Sequence, residues 1–514
     1  MIRVGLARGP DNYRGLAPPW HPGFEVPELA GRTQSATGVP ENGVFLSVRG
    51  ALLALGLDAD RAGTADWNPL GSLVTGSGTI VLKPNFIRHW NPRADIDEDG
   101  SIESVITHGA VIRAVAEYAF LAVGQEGRVI IAEAPQQDCD FDEIRRISGL
   151  DAMQGHFRSV LGVELEVIDL RREAVVFENG VIVSRRDLPG DPLGYRAVDL
   201  GDRSFFEGSG IEPSRMRGAD YDPAPTSDHH SKGRNAYLLS ETVLSSDLII
   251  NLPKLKTHKK TGVTLALKNL VGINGDKNWL PHHCVGSLAQ GGDEFPGEAW
   301  VDRARSRLTE WGRGLLGRNR GKGLIKAYRR AESAARGDDF IRAGNWHGNR
   351  TTWRMCCDLN RCVYYSDAQG LHLDAASPVR PVLTVLDGIV AGDVNGPLAP
   401  RDVPLGVILA SLDPIAVDLA AVRVMGFDPA RIPKIQAAMS SPTLRVTRVR
   451  STDQVEIGEA IQGPGRVDQR VRVYALGELA ASTRFIPHPG WLNHIESEAD
   501  ENIEGPPTFP EVKA

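Results

Sequence analysis

Branched apolar residues recur along the chain in short runs that do not alternate with polar ones. The runs are TIVLK at 79–83, RVIIAEA at 128–134, ELEVIDL at 164–170, SDLIINL at 246–252, PVLTVLD at 381–387 and LGVILAS at 405–411. Runs of this length and composition predict strands covered on both faces. Between them, HGAVIRAVAEYAFLAVG spaces its apolar residues three and four apart and stops at Gly124. DPIAVDLAAVRVMG opens with Asp413 as an N-cap, has Pro414 in the first helical position and stops at Gly426. Both read as helices with their own start and stop signals. Strands alternating with helices predict an α/β fold with a doubly wound, mostly parallel sheet.

Two stretches break this alternation. Residues 171–240 are polar and rich in turns, with a hairpin expected at AVVFENGVIVS, and residues 290–350 carry a basic, Arg-rich helical run. Both are expected as insertions. They divide the chain into a first α/β lobe at 1–170 and a second lobe made of 241–289 and 351–480. The remainder, 481–514, is acidic and Pro-rich and is expected to be an extended tail.

Composition narrows the function classes. A chain of 514 residues with 41% apolar and 24% charged residues suits a globular fold, and a formal net charge of −7 argues against a general nucleic-acid binder. Five cysteines without CxxC spacing offer neither a disulfide framework nor a zinc ribbon. No iron–sulfur cluster is therefore expected, and a reducing, cytoplasmic setting fits best. The N-terminus has no signal-peptide core, and no apolar run approaches the roughly 18 residues a membrane span needs. A homo-oligomer is compatible with all of this.

In an open α/β sheet ligands bind at the carboxyl ends of the strands. The polar residues that follow the predicted strands are Lys83 and Asn85, then Glu133, then Lys254, Lys256 and His258, then Asp387 and Asp393, and lastly Asp413. The stretch NLPKLKTHKKTGVTLALKNLVGI, 251–273, concentrates lysines directly after a buried strand. Pro253 marks the strand's end and the start of a loop, because a residue before proline avoids the helical region. Gly262 permits an unusual backbone angle or a close ligand approach. The helix expected after it would aim free N–H groups and its positive end at the same place. This combination predicts a small anionic ligand, a carboxylate or a phosphate. Lys83, Asn85, Lys254, Lys256, Gly262 and Asn269 are the expected binding residues, and His258, Lys268 and His108 the expected catalytic ones. Lys259 and Lys260 read as solvated surface. Asp387, Asp393 and Asp413 are expected either to orient lysines or to bind a divalent ion. Asp418, on an apolar helix face, needs a partner such as a lysine of 251–273. His282 and His283 are weaker metal-ligand candidates, since adjacent histidines rarely reach one ion together.

The ordered pieces VLKPNF, THGAVIRAV, INLPKLKTHKKTGVTLALKNLVG, VLDGIVAGDVNGP and ILASLDPIAVDLAAVRVMGFDP resemble the successive motifs of the family called domain of unknown function 362, over roughly 79 to 430. Many members carry a ferredoxin-like module, for which this chain lacks the cysteines. The resemblance implies the architecture and the position of the site, but no reaction. The chain also resembles the nickel-pincer lactate racemase family, which is two-lobed and pairs a histidine with a cofactor-bearing lysine ten residues later. His258 and Lys268 match that pairing, with Gly262 between them, and His108 matches its upstream histidine. The glycine pair that precedes the lysine in that family is replaced here by TLAL. This resemblance implies an isomerase with a lysine-linked metal cofactor as the alternative to an acid–base enzyme. A non-enzymatic partner in a biosynthetic complex, docking through the Arg-rich helix, is the third reading.

Overall fold

A computed structural model describes the chain except for residues 33–38, 75, 96–98, 318–320, 328–341, 373, 463–468 and 498–514. One sheet of eleven strands organises it. In chain order these are β1 (Ile2–Arg8), β2 (Thr79–Pro84), β3 (Arg128–Glu133), β4 (Leu165–Asp169), β5 (Leu248–Leu252), β6 (Lys254–His258), β7 (Gly262–Val263), β8 (Val382–Asn395), β9 (Ala399–Ser411), β10 (Val455–Gln462) and β11 (Gln469–Ala475). The spatial order is β11-β10-β1-β9-β8-β5-β2-β3-β4, with β6 added to the far half of β8 and β7 paired to β6. Pairing is parallel from β8 through β5, β2 and β3 to β4, between β6 and β8, and between β1 and β10. β9 is antiparallel to both of its neighbours, so the last two predicted strands form a long hairpin rather than a crossover pair.

Successive residues of the central strands enter two different cores, which is why their sequences do not alternate. Ile80, Leu82, Val129, Ile131, Leu248 and Ile250 face α1 (Gly43–Leu55) and α2 (Gly109–Val123). The intervening Val81, Ile130 and Ile249 join the opposite core. That core also contains residues of α5 (Thr352–Tyr365) and α6 (Pro414–Val424). In chain order α3 (Leu265–Asn269) and α4 (Trp300–Gly317) come between α2 and α5. Gly5 and Gly458 are register partners on β1 and β10, and a Cβ on them would lie 2.0 Å from Ala51 O and 2.2 Å from Ala54 O respectively. The two glycines let α1 lie directly on the strands. α6 begins as its sequence predicts, with the Asp413 carboxylate accepting from Ile415 N and Ala416 N.

The sheet draws on both predicted lobes, since β1 sits between β10 and β9, and β2 pairs with β5. The expected hairpin in the polar insertion is present, Glu173–Glu178 against Val181–Asp187. Residues 481–497 do not trail away from the body. Phe485, Trp491 and Ile495 are buried, and the rest of the expected tail lies outside the described residues. No helix among the described residues is long and apolar enough to cross a membrane.

Candidate functional site

Pro253 interrupts the strand without ending the sheet. β5 pairs with the start of β8, and after the proline β6 pairs with its continuation, setting Lys254 opposite Asp387 and Lys256 opposite Gly392. The lysine-rich loop expected here is therefore a strand that turns back at Gly262, whose φ of +74° suits glycine. The period of two puts Lys254, Lys256 and His258 on one face of β6. That face runs from the molecule's interior toward the rim.

Its inner end is a fully buried polar spine. Lys254 Nζ lies 2.9 Å from Asp387, and the same carboxylate accepts from the Tyr13 hydroxyl at 2.6 Å and from His108 N at 2.9 Å. Lys83 pairs with Glu133 and also donates to Pro84 O at 2.7 Å. Lys256 donates to Asn85 Oδ1 at 2.8 Å and to Val105 O. Asn85 in turn donates to Asn269 Oδ1 at 2.8 Å, and Asn269 donates to Lys83 O and Asn251 Oδ1. Burial holds Lys256 well below the ordinary lysine value, and Lys254 and Lys268 add to the depression. Gly272 closes on this spine, since a Cβ there would stand 1.8 Å from Glu133 Oε1.

The outer end opens into a cavity of about 340 Å³. Lys259, Lys260, Lys268, Lys277 and Arg313 line it together with His258, His282 and His283. Glu133 is the only carboxylate among the described lining residues, and Lys83 already neutralises it. Both insertions help to wall the cavity, through Phe177 and Ala219 on one side and Arg313 and Ala343 on the other. Burial lowers Lys260 and Lys277 to about 7 and Lys259 to about 8, with the neighbouring cations adding to the effect. Lys260 donates to Ala343 O and Lys277 to Ala134 O, while Lys268 has no hydrogen-bond or ion-pair partner among the described residues.

The histidines of the cavity are neutral at pH 7 because burial and nearby lysines oppose their charge. His282 is pushed down to about 3, and His258 and His283 also fall. Their hydrogen bonds assign the tautomers. His282 Nδ1 lies 2.8 Å from Leu280 O, which places its proton on Nδ1 and leaves Nε2 as a base. His258 Nδ1 accepts from Lys260 N at 3.1 Å, which leaves Nε2–H as a donor.

Residues 194–423 match the model of the domain of unknown function DUF362. The DUF362 stretch holds β5 to β9 and most of the cavity wall, while Asn85, Glu133 and Phe177 come from outside it. A 205-residue stretch is 26% identical to the thylakoid-associated protein sll1697 of Synechocystis, covering 40% of this chain and 40% of that protein. Among solved structures, the lactate racemase apoprotein of Thermoanaerobacterium thermosaccharolyticum aligns with a TM-score of 0.27 and 11% identity, over 73% of this chain and 54% of that one.

The candidate residues singled out in the sequence divide between spine and cavity. His258, Lys268 and Asn269 line the cavity, as does Asn85 from β2's end. Lys83, Lys254 and Lys256 are fully buried in the spine and do not line it, and Gly262 packs against Trp491. His108 caps α2, accepting from Ala110 N, and stacks on Tyr13 at 3.6 Å; burial pushes it down to about 3. Asp387, Asp393 and Asp413 are not brought together. Asp393 pairs with Arg401, and Asp413 caps α6 and accepts from Thr447 and Arg448 N. Because β9 runs back along β8, Ser411 ends beside Thr384 while Asp393 pairs with Arg401. That separation is roughly 30 Å along the strand. No group of three His, Cys, Asp or Glu residues among the described residues is arranged to hold a metal ion. The expected helix positive end is also engaged elsewhere, since Asp418 accepts from Ala266 N at 2.7 Å and from Leu267 N at 3.5 Å. Asp418 thus finds backbone N–H groups and Lys434 rather than a lysine of 251–273. Among the ionisable cavity residues, Lys259, Lys260, Lys277, His282, His283 and Arg313 are those that sequence reasoning did not place there.

Proposed function

We propose that the protein binds a small anionic ligand, a carboxylate or phosphate, in the lysine cavity, and that it is an acid–base enzyme acting on that ligand. One observation carries this reading. Four lysines, Lys259, Lys260, Lys268 and Lys277, line one cavity of about 340 Å³ whose single described carboxylate is already paired with Lys83. Gathering like charges without counter-charges is unfavourable unless a ligand supplies them. Lys268 and Lys277 hold the anion, and Asn85, with one amide N–H left after its bond to Asn269 Oδ1, orients it. His282 Nε2 accepts a hydrogen bond from the bound molecule and His258 Nε2–H donates one to it, while Lys260, near 7, takes up and returns the proton at neutral pH.

Calorimetric titration with inorganic phosphate and with citrate tests the binding. Saturable binding is expected, weakened about tenfold or more in Lys268→Met and Lys277→Met, the scale of one lost charge-assisted hydrogen bond. Wild-type affinity in both variants sinks the assignment. A ligand that binds but is never turned over removes the catalytic half of the reading and leaves the binding half.

A further inference from the structure

Arg313 and Ala343 line the lysine cavity and also line a second cavity of about 500 Å³. The second cavity has a different character. Phe295, Leu308, Trp311, Leu316, Leu324 and Ile325 contribute to its wall, and α4 supplies much of that wall. Phe295, Leu316 and Ile325 are buried, whereas Leu308, Trp311 and Leu324 remain 42%, 53% and 62% exposed. Large apolar side chains left this open at a cavity margin are the surface that an apolar ligand covers with gain. Gly312 leaves room there, since a Cβ on it would meet nothing nearer than Ile325 Cδ1 at 3.7 Å. The charged residues on its border are of both signs, Glu294 and Asp302 with Arg305, Arg313 and Arg342, so they single out neither an anion nor a cation there. The Lys260 amine donates to Ala343 O, at the seam between the two chambers.

Resting on the reading of the lysine cavity as an anion site, we propose that its ligand is amphiphilic. An anionic head sits among Lys260, Lys268 and Lys277, and an apolar body passes Arg313 and lies along the inner side of α4. The two chambers split the ligand's chemistry between them, cationic for the head and apolar for the body. The ligand is then either a bilayer lipid with an anionic headgroup or a dissolved amphiphilic metabolite.

Titration of the full chain with inorganic phosphate, butyl phosphate and octyl phosphate, each below its micellar concentration, tests this. Octyl phosphate is expected to bind at least about tenfold more tightly than phosphate, because several methylenes leave water. Gly312→Phe, which fills the second cavity, is expected to remove that gain, and Gly312→Ala to keep it. Equal affinities along the series, or a gain that survives Gly312→Phe, overturn the amphiphile while leaving the anion site standing. If neither phosphate nor octyl phosphate binds, or if Lys268→Met leaves both unaffected, the anion reading fails and the amphiphile with it. Sedimentation with phosphatidylcholine vesicles containing phosphatidic acid separates the sources. Association sensitive to Gly312→Phe assigns a bilayer lipid. Tight octyl phosphate binding without vesicle association assigns a dissolved amphiphile.

Discussion

Lys254 and Lys260 stand on the same stretch of chain, and both are almost fully buried. Lys254 has the Asp387 carboxylate at 2.9 Å and the Tyr13 hydroxyl at 3.2 Å. Lys83, in the same spine, has Glu133. Lys260 has one backbone carbonyl and no carboxylate within ion-pair range among the described residues, and Lys259, Lys268 and Lys277 share that lack of a counter-charge. A buried cation beside a carboxylate holds the fold together. A group of cations without one is poised for a charge that arrives from outside. The spine and the cavity meet at Asn85, Glu133 and Asn269, so the structural charges fix the position of the cavity-lining ones.

The sharpest way to break this division is to remove one lysine from each region. Lys254→Met strands Asp387 without its counter-charge and is expected to cost about 3–5 kcal/mol of stability, read by urea unfolding. A variant as stable as the parent would show that the spine pair is dispensable. Gly272→Ala should cost less, about 1–3 kcal/mol, because its methyl group must displace Glu133 from Lys83. Lys268→Met belongs to the other region. It is expected to unfold at an unchanged or higher urea midpoint while losing phosphate affinity about tenfold. If Lys268→Met destabilised the protein as much as Lys254→Met, the line between the two regions would be drawn in the wrong place.

How far this division can be read from sequence depends on what each residue's partner is. The central strands and both caps of α6 are legible because their signals are local: runs of Val, Ile and Leu, Asp413 before Pro414, and Gly426 after the last turn. Strand direction is not local. Nothing in LGVILAS says that β9 runs antiparallel, yet that direction carries Asp413 to the opposite end of β8 from Asp393. Pro253 is a real interruption, but the chain stays beside β8 in the same register and the sheet does not end there. His258, Lys268, Asn85 and Asn269, picked out by their places after the strands, do come together in the wall of one cavity. The roles of the individual lysines were not legible. Lys259 and Lys260 look like solvated residues until the two insertions, distant in sequence, fold over them through Phe177, Ala219, Arg313 and Ala343. Lys83 and Lys254 look ligand-facing until Glu133 and Asp387 are brought beside them.

The smallest expected effect, and the one that separates the two regions by charge alone, is on pH dependence. Lys260 and Lys277 lie near 7 and Lys259 near 8 in the ligand-free fold, against about 10.4 for an unfolded lysine. Between about pH 7 and pH 10 the unfolded chain therefore binds more protons than the folded one, and stability from these groups rises with pH. Below pH 7 both states are protonated at these lysines, and that contribution is gone. A bound anion offsets the mutual repulsion and raises all three values, so binding near pH 8 takes up protons and affinity falls as pH rises. Sulfate is the suitable probe, because its own charge is constant over this range. Titrations at pH 8 in two buffers of different ionisation enthalpy are expected to give an uptake of about one proton per sulfate. The sulfate-induced rise in Tm should be larger at pH 6.5 than at pH 9. Lys260→Met should reduce the uptake, while Asn85→Asp, which adds a negative charge where spine and cavity meet, should raise these lysines toward their ordinary value before any ligand binds. Sulfate binding with no proton uptake would mean that the cavity lysines already carry their charges in the free protein, and that the counter-charge they lack is supplied by solvent.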